Sequence, residues 1–171
     1  MIIWIIGLSG SGKTKFSKEL LKSNNIKRNF ISIDGDEFRE NISRDLGYSY
    51  RDRQKNAERI SRFVKYLSKK KINIIVSVLS NYPKWLKWNK KNIKNYFQVY
   101  LKVDKKKLFI RNKKKLYLSK KKNVVGKDIR FNEPKDNDLT IINTFKKKDI
   151  EYFKTSILKI INNNDIKKKH N

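Results

Sequence analysis

The chain has 171 residues, which fits one domain with a sizeable hydrophobic core and leaves too little length for two. It contains no cysteine, so disulfides and thiolate metal sites are excluded and we expect a cytoplasmic protein. The apolar opening at residues 1–6 is too short for a signal peptide or a membrane span, and no other stretch is apolar enough to cross a bilayer. We therefore expect no membrane partner.

The formal net charge is +28, an extreme value for this length. One interpretation is binding to nucleic acid or to a membrane surface. The other is a bias toward lysine, in which lysines occupy solvated faces and helix ends. The lysine runs are scattered along the chain, arginine is used far less, and no recognisable nucleic-acid motif accompanies them. We therefore predict that nucleic acid is not the partner, while the positive field favours an anionic substrate.

In chain order, the first half of the sequence predicts strands that alternate with helices. A continuously apolar, β-branched run predicts a strand at residues 1–6 that is buried on both faces of a parallel sheet. A helix over 13–22 and a short strand over 29–33 follow. Apolar residues at three- and four-residue spacing predict a longer helix over 52–70, and a second buried strand follows at 72–79.

The second half continues the alternation. Pro83 suits the first turn of a helix, and the strand predicted at 96–103 is followed by a short helix that Asp104 could cap. A last short strand is predicted at 139–142, before an amphipathic helix over 149–161. This pattern predicts the α/β class, with a three-layer αβα arrangement around a central, mainly parallel sheet.

Residues 7–14 read GLSGSGKT and fit the phosphate-binding pattern G-x-x-x-x-G-K-[ST] in full, between a buried strand and an amphipathic helix. The glycines allow backbone conformations that a Cβ would forbid, and the N–H groups of the loop and helix N-terminus favour a bound anion. The lysine places a charge between the β- and γ-phosphates, and the threonine offers a hydroxyl to Mg²⁺. The sequence thus predicts a P-loop NTPase-type fold with ATP and Mg²⁺ as cofactors. The residues assigned to ATP binding are Gly7, Ser9, Gly10, Ser11, Gly12, Lys13 and Thr14.

A second group of polar residues, DGDEFR, begins at Asp34, where the second predicted strand ends. Ligands of open α/β sheets bind outside the carboxyl ends of the strands, so these carboxylates are expected beside the phosphate site. Of Asp34 and Asp36, one can hold a magnesium-bound water and the other can orient or deprotonate an attacking hydroxyl. The alternative is that Asp36 caps a helix over 37–42. The strand that ends at Leu79 offers no carboxylate for the magnesium role, which favours the first interpretation.

From residue 112 to 135 the chain is polar and rich in lysine. It is either a disordered charged loop or a mobile lid over an active site. Its place between two predicted strands is where kinases of this size carry a lid, so we predict a lid at about 112–135. We expect a single P-loop kinase domain over 1–162 and a polar tail over 163–171.

The motifs GLSGSGKT, DGDEFR, DLGYSYRDRQKN, SVLSNYP and NVVGKDIRFNEP, in this order, resemble the adenylyl-sulfate kinase family. The resemblance covers roughly residues 2–139, and the ordered set is much more specific than the P-loop alone. It implies a kinase that uses MgATP to phosphorylate the 3′-hydroxyl of adenosine 5′-phosphosulfate. It also implies a small-molecule nucleotide as the partner and a homodimer.

The resemblance further implies roles for single residues. Asp36 would be the base or the magnesium partner, with Asp34 in support, and Lys13 would complete the catalytic set. Thr14 and Asp36 would hold the metal. The residues implied for the acceptor nucleotide are Arg39, Tyr48, Arg53, Asn56, Ser80 and Lys114. The ordinary alternatives are surface ion pairs for the two arginines and a core aromatic for Tyr48.

The segment at residues 112–115 and Asn81 depart from the family pattern, and so do two positions that bear on the acceptor. Val124 stands where the family has a second aromatic that stacks on adenine, and such stacking is worth about 1–3 kcal/mol per base. Glu58 stands where the family usually has arginine. The default acceptor is adenosine 5′-phosphosulfate. The alternative is the pyrimidine substrate of a related enzyme type, the cytidine diphosphoramidate kinase of capsule biosynthesis. Another small-metabolite P-loop kinase or a basic nucleic-acid-binding ATPase is less favoured.

Overall fold

A computed structural model of the chain describes residues 1–79, 82–111, 117, 120 and 122–169, with the backbone alone for residues 25 and 164–169. Within these residues, five strands form one sheet in the order β2-β3-β1-β4-β5, and every neighbouring pair is parallel. The strands are β1 (Ile2–Ile6), β2 (Phe30–Asp34), β3 (Asn73–Val78), β4 (Tyr96–Lys102) and β5 (Leu139–Ile142).

Helices pack on both faces of the sheet, which confirms the predicted three-layer α/β fold. The helices are α1 (Lys13–Leu21), α2 (Asn24–Asn29), α3 (Gly35–Asn41), α4 (Tyr50–Lys69), α5 (Pro83–Asn92), α6 (Lys105–Arg111) and α7 (Lys147–Lys169). None of the helices in the described part of the chain has the length and apolar character that a bilayer crossing requires.

The central strand β1 supplies side chains to two separate cores. Trp4 lies with Ile60 and Val64 of α4 on one face of the sheet, whereas Ile5 lies with Phe16 of α1 on the other face. Each fully buried side chain of this kind contributes about 1.5–3 kcal/mol to folding. Because both faces of β1 are covered, its sequence has no polar position and shows no alternation.

The parallel sheet brings the ends of its strands to one edge. Ile6, after which the P-loop begins, is in register with Val78 of β3, and Asp34 of β2 is in register with Ser77. The phosphate loop, the acidic motif and the end of β3 therefore lie together at the carboxyl edge, as expected for an open α/β sheet.

Three local features differ from the sequence predictions. Helix α2 was not predicted, because its polar sequence carries a single buried apolar anchor, Ile26. The cap of α3 is Asp34, whose carboxylate accepts from the Asp36 backbone N–H, so the alternative with Asp36 as the cap is wrong. The polar tail predicted over 163–171 is helical as far as Lys169.

The segment predicted as a lid is only partly described, since residues 112–116, 118–119 and 121 lie outside the described residues. Tyr117, Val124 and Phe131 are buried in the core that contains Trp4. Gly126 packs closely on the P-loop side, where an added Cβ would lie 3.0 Å from the Leu8 side chain. The described part of the segment thus packs on the domain, and its opening and closing stay a prediction.

Candidate active site

The P-loop has the backbone of a phosphate cradle. Gly10 and Gly12 have φ values of 79° and 99°, in the left-handed region that favours glycine. At Gly7 an added Cβ would lie 2.7 Å from Ser11 Oγ and 2.8 Å from the Leu101 carbonyl oxygen. All three glycines of the motif are therefore required by conformation or by close approach.

One charged group of this loop fits a bound anion. Lys13 Nζ donates to the carbonyl oxygens of Gly7 (2.8 Å) and Leu8 (2.9 Å), which holds the ammonium group over the loop. A polyphosphate would neutralise this ammonium group, so the residues present fit ATP.

The acidic motif reaches the P-loop through Asp34. Thr14 Oγ1 donates to Asp34 Oδ2 at 2.8 Å, while Asp34 Oδ1 accepts from the Asp36 N–H at 2.9 Å. A hydroxyl and a carboxylate in contact are hard oxygen ligands of the kind that Mg²⁺ takes together with substrate phosphates. The geometry therefore favours Asp34 beside Thr14 for the metal. The assignment of the metal to Asp36 stays a prediction.

The side of the site that is predicted to bind the acceptor, called the acceptor side below, contains two arginines that are braced by backbone carbonyls. Arg39 is 8% exposed and donates to the Gly47 carbonyl at 2.6 Å. Arg53 donates to the carbonyl oxygens of Tyr48 (3.1 Å) and Asn123 (3.0 Å). Neither arrangement is a surface ion pair, so that alternative is wrong for both residues.

The charge of Arg53 is poorly compensated. Burial lowers its pKa, and the nearby Arg39 cation lowers it further, against the opposing effects of Tyr82, Tyr48 and Asp36. A partly desolvated guanidinium beside a second one is a site for an anion, and the forked geometry suits phosphate-like groups. Both arginines line the same cavity as the P-loop.

Tyr48 lies beside both guanidinium groups, at 5.0 Å from Arg39 and 5.3 Å from Arg53. It is 57% exposed, so it is not a core aromatic. Asn56, in contrast, is 6% exposed, and its Oδ1 has no partner among the described atoms although the residue lines the cavity. An unpaired buried amide oxygen is costly, and a ligand donor would satisfy it.

One cavity of about 280 Å³ joins the phosphate loop to this acceptor side. Of the assigned residues, the cavity is lined by Ser9, Gly10, Gly12, Lys13, Thr14, Asp34, Asp36, Arg39, Arg53 and Asn56. Gly7, Ser11 and Tyr48 are not among the residues that line it. Ser80 and Lys114 lie outside the described residues, so their roles stay predictions.

Of the positions that depart from the family pattern, the structure describes Glu58 and Val124. Glu58 accepts from Arg62 Nε at 2.8 Å on the outer side of α4, so its charge is paired there. Val124 is buried in the core that contains Trp4. It presents no aromatic wall to an acceptor base.

Sequence reasoning assigned no role to several other residues that line the cavity, among them an arginine, an asparagine and two aromatic residues. At one end, the Arg111 guanidinium lies 3.9 Å from the centre of the Phe145 ring, next to Asn143. At the acceptor end is Tyr82, whose pKa is raised by burial to about 12. The available signals were weak: an asparagine directly after a strand and an arginine at the end of a lysine-rich helix.

Comparison with known proteins agrees with this geometry. The adenylylsulphate kinase family model matches residues 1–142. The chain belongs to the adenylyl-sulfate kinase family. The prediction from the motif order is thus confirmed, and the chain is a nucleotide-binding kinase, a phosphotransferase with a hydroxyl acceptor.

Individual relatives of this kinase carry two different names. A Campylobacter jejuni cytidine diphosphoramidate kinase is 37% identical over 148 residues, which cover 84% of this chain and 86% of the relative. A probable adenylyl-sulfate kinase of Pseudomonas aeruginosa is 31% identical over 133 residues, or 76% of this chain, but the match spans only 60% of that relative. A solved Mycobacterium tuberculosis APS kinase, in complex with AMPPNP and APS, has a TM-score of 0.81 at 23% identity and covers 94% of this chain and 96% of its own. At that identity, the likeness supports the fold alone.

Proposed function

We propose that this kinase transfers the γ-phosphate of MgATP to the ribose 3′-hydroxyl of a nucleotide that carries a modified 5′-diphosphate-like group. The observation that carries the proposal is the single cavity with the P-loop at one end and Arg39, Arg53 and Asn56 at the other. The P-loop binds the donor, and the arginines bind the anionic part of the acceptor. ATP-dependent transfer to a metabolite is consistent with the cytoplasm as its location.

In this proposal, individual residues of the chain have separate roles in phosphate transfer. Lys13 places its charge at the phosphates of the donor, and Thr14 with Asp34 would hold the metal. Magnesium, when bound, would supply positive charge against the negative charge that develops in transfer. Asp36 accepts the proton of the attacking hydroxyl, which the cavity orients toward the donor. Little covalent help is needed, because a loose phosphoryl transition state depends mainly on positioning and charge.

We propose cytidine diphosphoramidate as the first candidate for the acceptor and adenosine 5′-phosphosulfate as the second. The buried Val124 offers no second aromatic for adenine, and a smaller base depends less on a two-sided clamp. The more similar of the two named relatives above, at 37% identity, is the cytidine diphosphoramidate kinase, an enzyme type of capsule biosynthesis. Adenosine 5′-phosphosulfate remains the second candidate, because the family model that matches carries its name.

Turnover of the two acceptors in parallel tests this proposal. The purified protein is incubated with MgATP and each acceptor, and the phosphorylated products are separated and quantified. Lys13→Ala is the inactive reference, and Lys18→Ala, the same change on an exposed part of α1, is its matched control. A preference for the cytidine compound is expected. A preference for the adenosine compound would reverse the order of the two candidate acceptors. Inactivity toward both would refute the proposal that the protein is a nucleotide 3′-kinase. A homodimer also stays a prediction, which sedimentation velocity can test.

A further inference from the structure

The backbone carbonyl groups of the P-loop are held by side chains from distant parts of the chain. The Tyr117 hydroxyl donates to the Ser9 carbonyl oxygen at 2.8 Å. Asn143 Nδ2 donates to the Ser11 carbonyl oxygen at 2.7 Å. Tyr117 is 8% exposed and Asn143 is 4% exposed, and a buried carbonyl that loses its donor is destabilised. These two bonds therefore resist rotation of the peptide groups that they hold.

Each of these carbonyl groups shares a peptide plane with the N–H of a glycine. In a trans peptide the C=O and N–H bonds point in opposite directions. The bond from Tyr117 consequently fixes the direction of the Gly10 N–H, and the bond from Asn143 fixes that of the Gly12 N–H. Both glycines lie at positive φ, and glycine adopts positive and negative φ about equally readily. The loop sequence alone does not set these two directions.

We propose that Tyr117 and Asn143 are positioning residues, which keep the N–H groups of Gly10 and Gly12 turned toward the phosphates of the donor. The proposal rests on ATP binding at the P-loop and adds the groups that set the loop's conformation. Without the two donors, a peptide can rotate and turn its carbonyl oxygen toward the anion, which repels it. A residue of the segment predicted as a lid thus acts on phosphate binding through the backbone.

Asn143 has a second bond that any test must preserve. Its Oδ1 accepts from the Phe145 N–H at 2.8 Å and so supports the turn that carries the ring beside Arg111. A serine can make the same bond to the N–H two residues on, but its short side chain does not extend to the Ser11 carbonyl. Asn143→Ser therefore removes the bond to the P-loop and keeps the turn.

The experiment measures binding of inorganic tripolyphosphate and of ATP, each with Mg²⁺, by titration calorimetry. Tyr117→Phe removes only the hydroxyl. The matched control is Tyr96→Phe, in which a buried hydroxyl that donates to Gln98 at 3.0 Å is lost near the start of β4, at the opposite edge of the sheet. Loss of the bond to the P-loop carbonyl is expected to raise the dissociation constants of tripolyphosphate and of ATP about threefold to tenfold. The KM of the acceptor should stay unchanged in both Tyr117→Phe and Asn143→Ser.

The outcomes separate this inference from the proposed function. If the wild-type protein binds no tripolyphosphate and no ATP, the proposed function fails and this inference fails with it. If the wild type binds them and both variants bind them equally well, only this inference is refuted. An equal loss in Tyr96→Phe would also refute it, because the effect would then be a general cost of a missing buried hydroxyl. If Asn143→Ser does not fold, Tyr117→Phe decides alone.

Discussion

Replacing Asp34 can separate its structural role from its chemical one. Its carboxylate caps α3 through the Asp36 N–H and also accepts from Thr14. Asparagine caps a helix about as well as aspartate, so Asp34→Asn should leave stability nearly unchanged. Asp34→Ala loses the helix cap, which costs about 1 kcal/mol of folding stability. It also loses the hydrogen bond from Thr14, which costs about 1 kcal/mol more. For a chain of this size we expect Tm to fall by about 4–8 °C in Asp34→Ala.

The chemical role appears in the magnesium dependence of turnover. Asp34→Asn removes the negative charge beside Thr14, and we expect the magnesium concentration for half-maximal activity to rise about 10–100-fold. The assay is ATP consumption over a magnesium titration, with melting curves measured in parallel. Asp104 provides the matched control, because it caps α6 through the N–H groups of Lys106 (2.7 Å) and Lys107 (3.2 Å). Asp104→Ala should lower Tm and leave the magnesium dependence unchanged.

One result would overturn the assignment of Asp34 to the metal. If Asp34→Asn keeps the wild-type magnesium dependence, and Asp34→Ala is destabilised no more than Asp104→Ala, then Asp34 is a helix cap and nothing else. The metal role would then pass to Asp36, as the resemblance implied.

Three further predictions concern the loop, the acceptor side and pH. Gly12→Ala, at φ 99° and with its new Cβ 3.1 Å from Asn143 Nδ2, should strain the loop by about 1–2 kcal/mol. Calorimetry should then show ATP binding weakened by about 5–30-fold. Arg53→Ala should raise the acceptor KM about 10–100-fold with a small change in the KM of ATP, since charged hydrogen bonds are worth about 1.5–3 kcal/mol; equal changes in both constants would contradict this. Folding stability should fall as pH rises from the ordinary tyrosine pKa of about 10 toward the raised pKa of Tyr82, about 12, because only the unfolded chain ionises there. Across that range, the melting temperature of Tyr82→Phe should fall less with pH than that of the wild type. An equal fall in both proteins would be evidence against the raised pKa.

Features that follow from local sequence were predictable. The strand at residues 1–6 and the P-loop were read from continuous apolar character and from glycine spacing, and both are present. Arg39 and Arg53 came from the order of motifs, and the structure brings both to the cavity. The existence of an α/β sheet needs only alternating periodicity, which is why it was accessible.

Features that depend on long-range contacts were not predictable. The bond from Asn143 to the Ser11 carbonyl spans 132 residues of sequence, and neither segment contains a pattern that predicts it. Phe145, after β5, lies beside Arg111 at the end of α6, and its φ of 68° is unusual for a bulky side chain. The extension of α7 through a run of asparagine and lysine was missed for a related reason, because such residues carry no apolar period.

Different parts of helix α4 line the cavity and anchor the helix in the core. Its first two turns carry Arg53 and Asn56, while Ile60 and Val64 further along fix the helix in the core. With the function proposed above, substitutions near its amino end would change which acceptor is bound without disturbing the residues that hold the helix in place. One rigid scaffold can in this way serve enzymes with different acceptors, and a change of substrate requires no new fold.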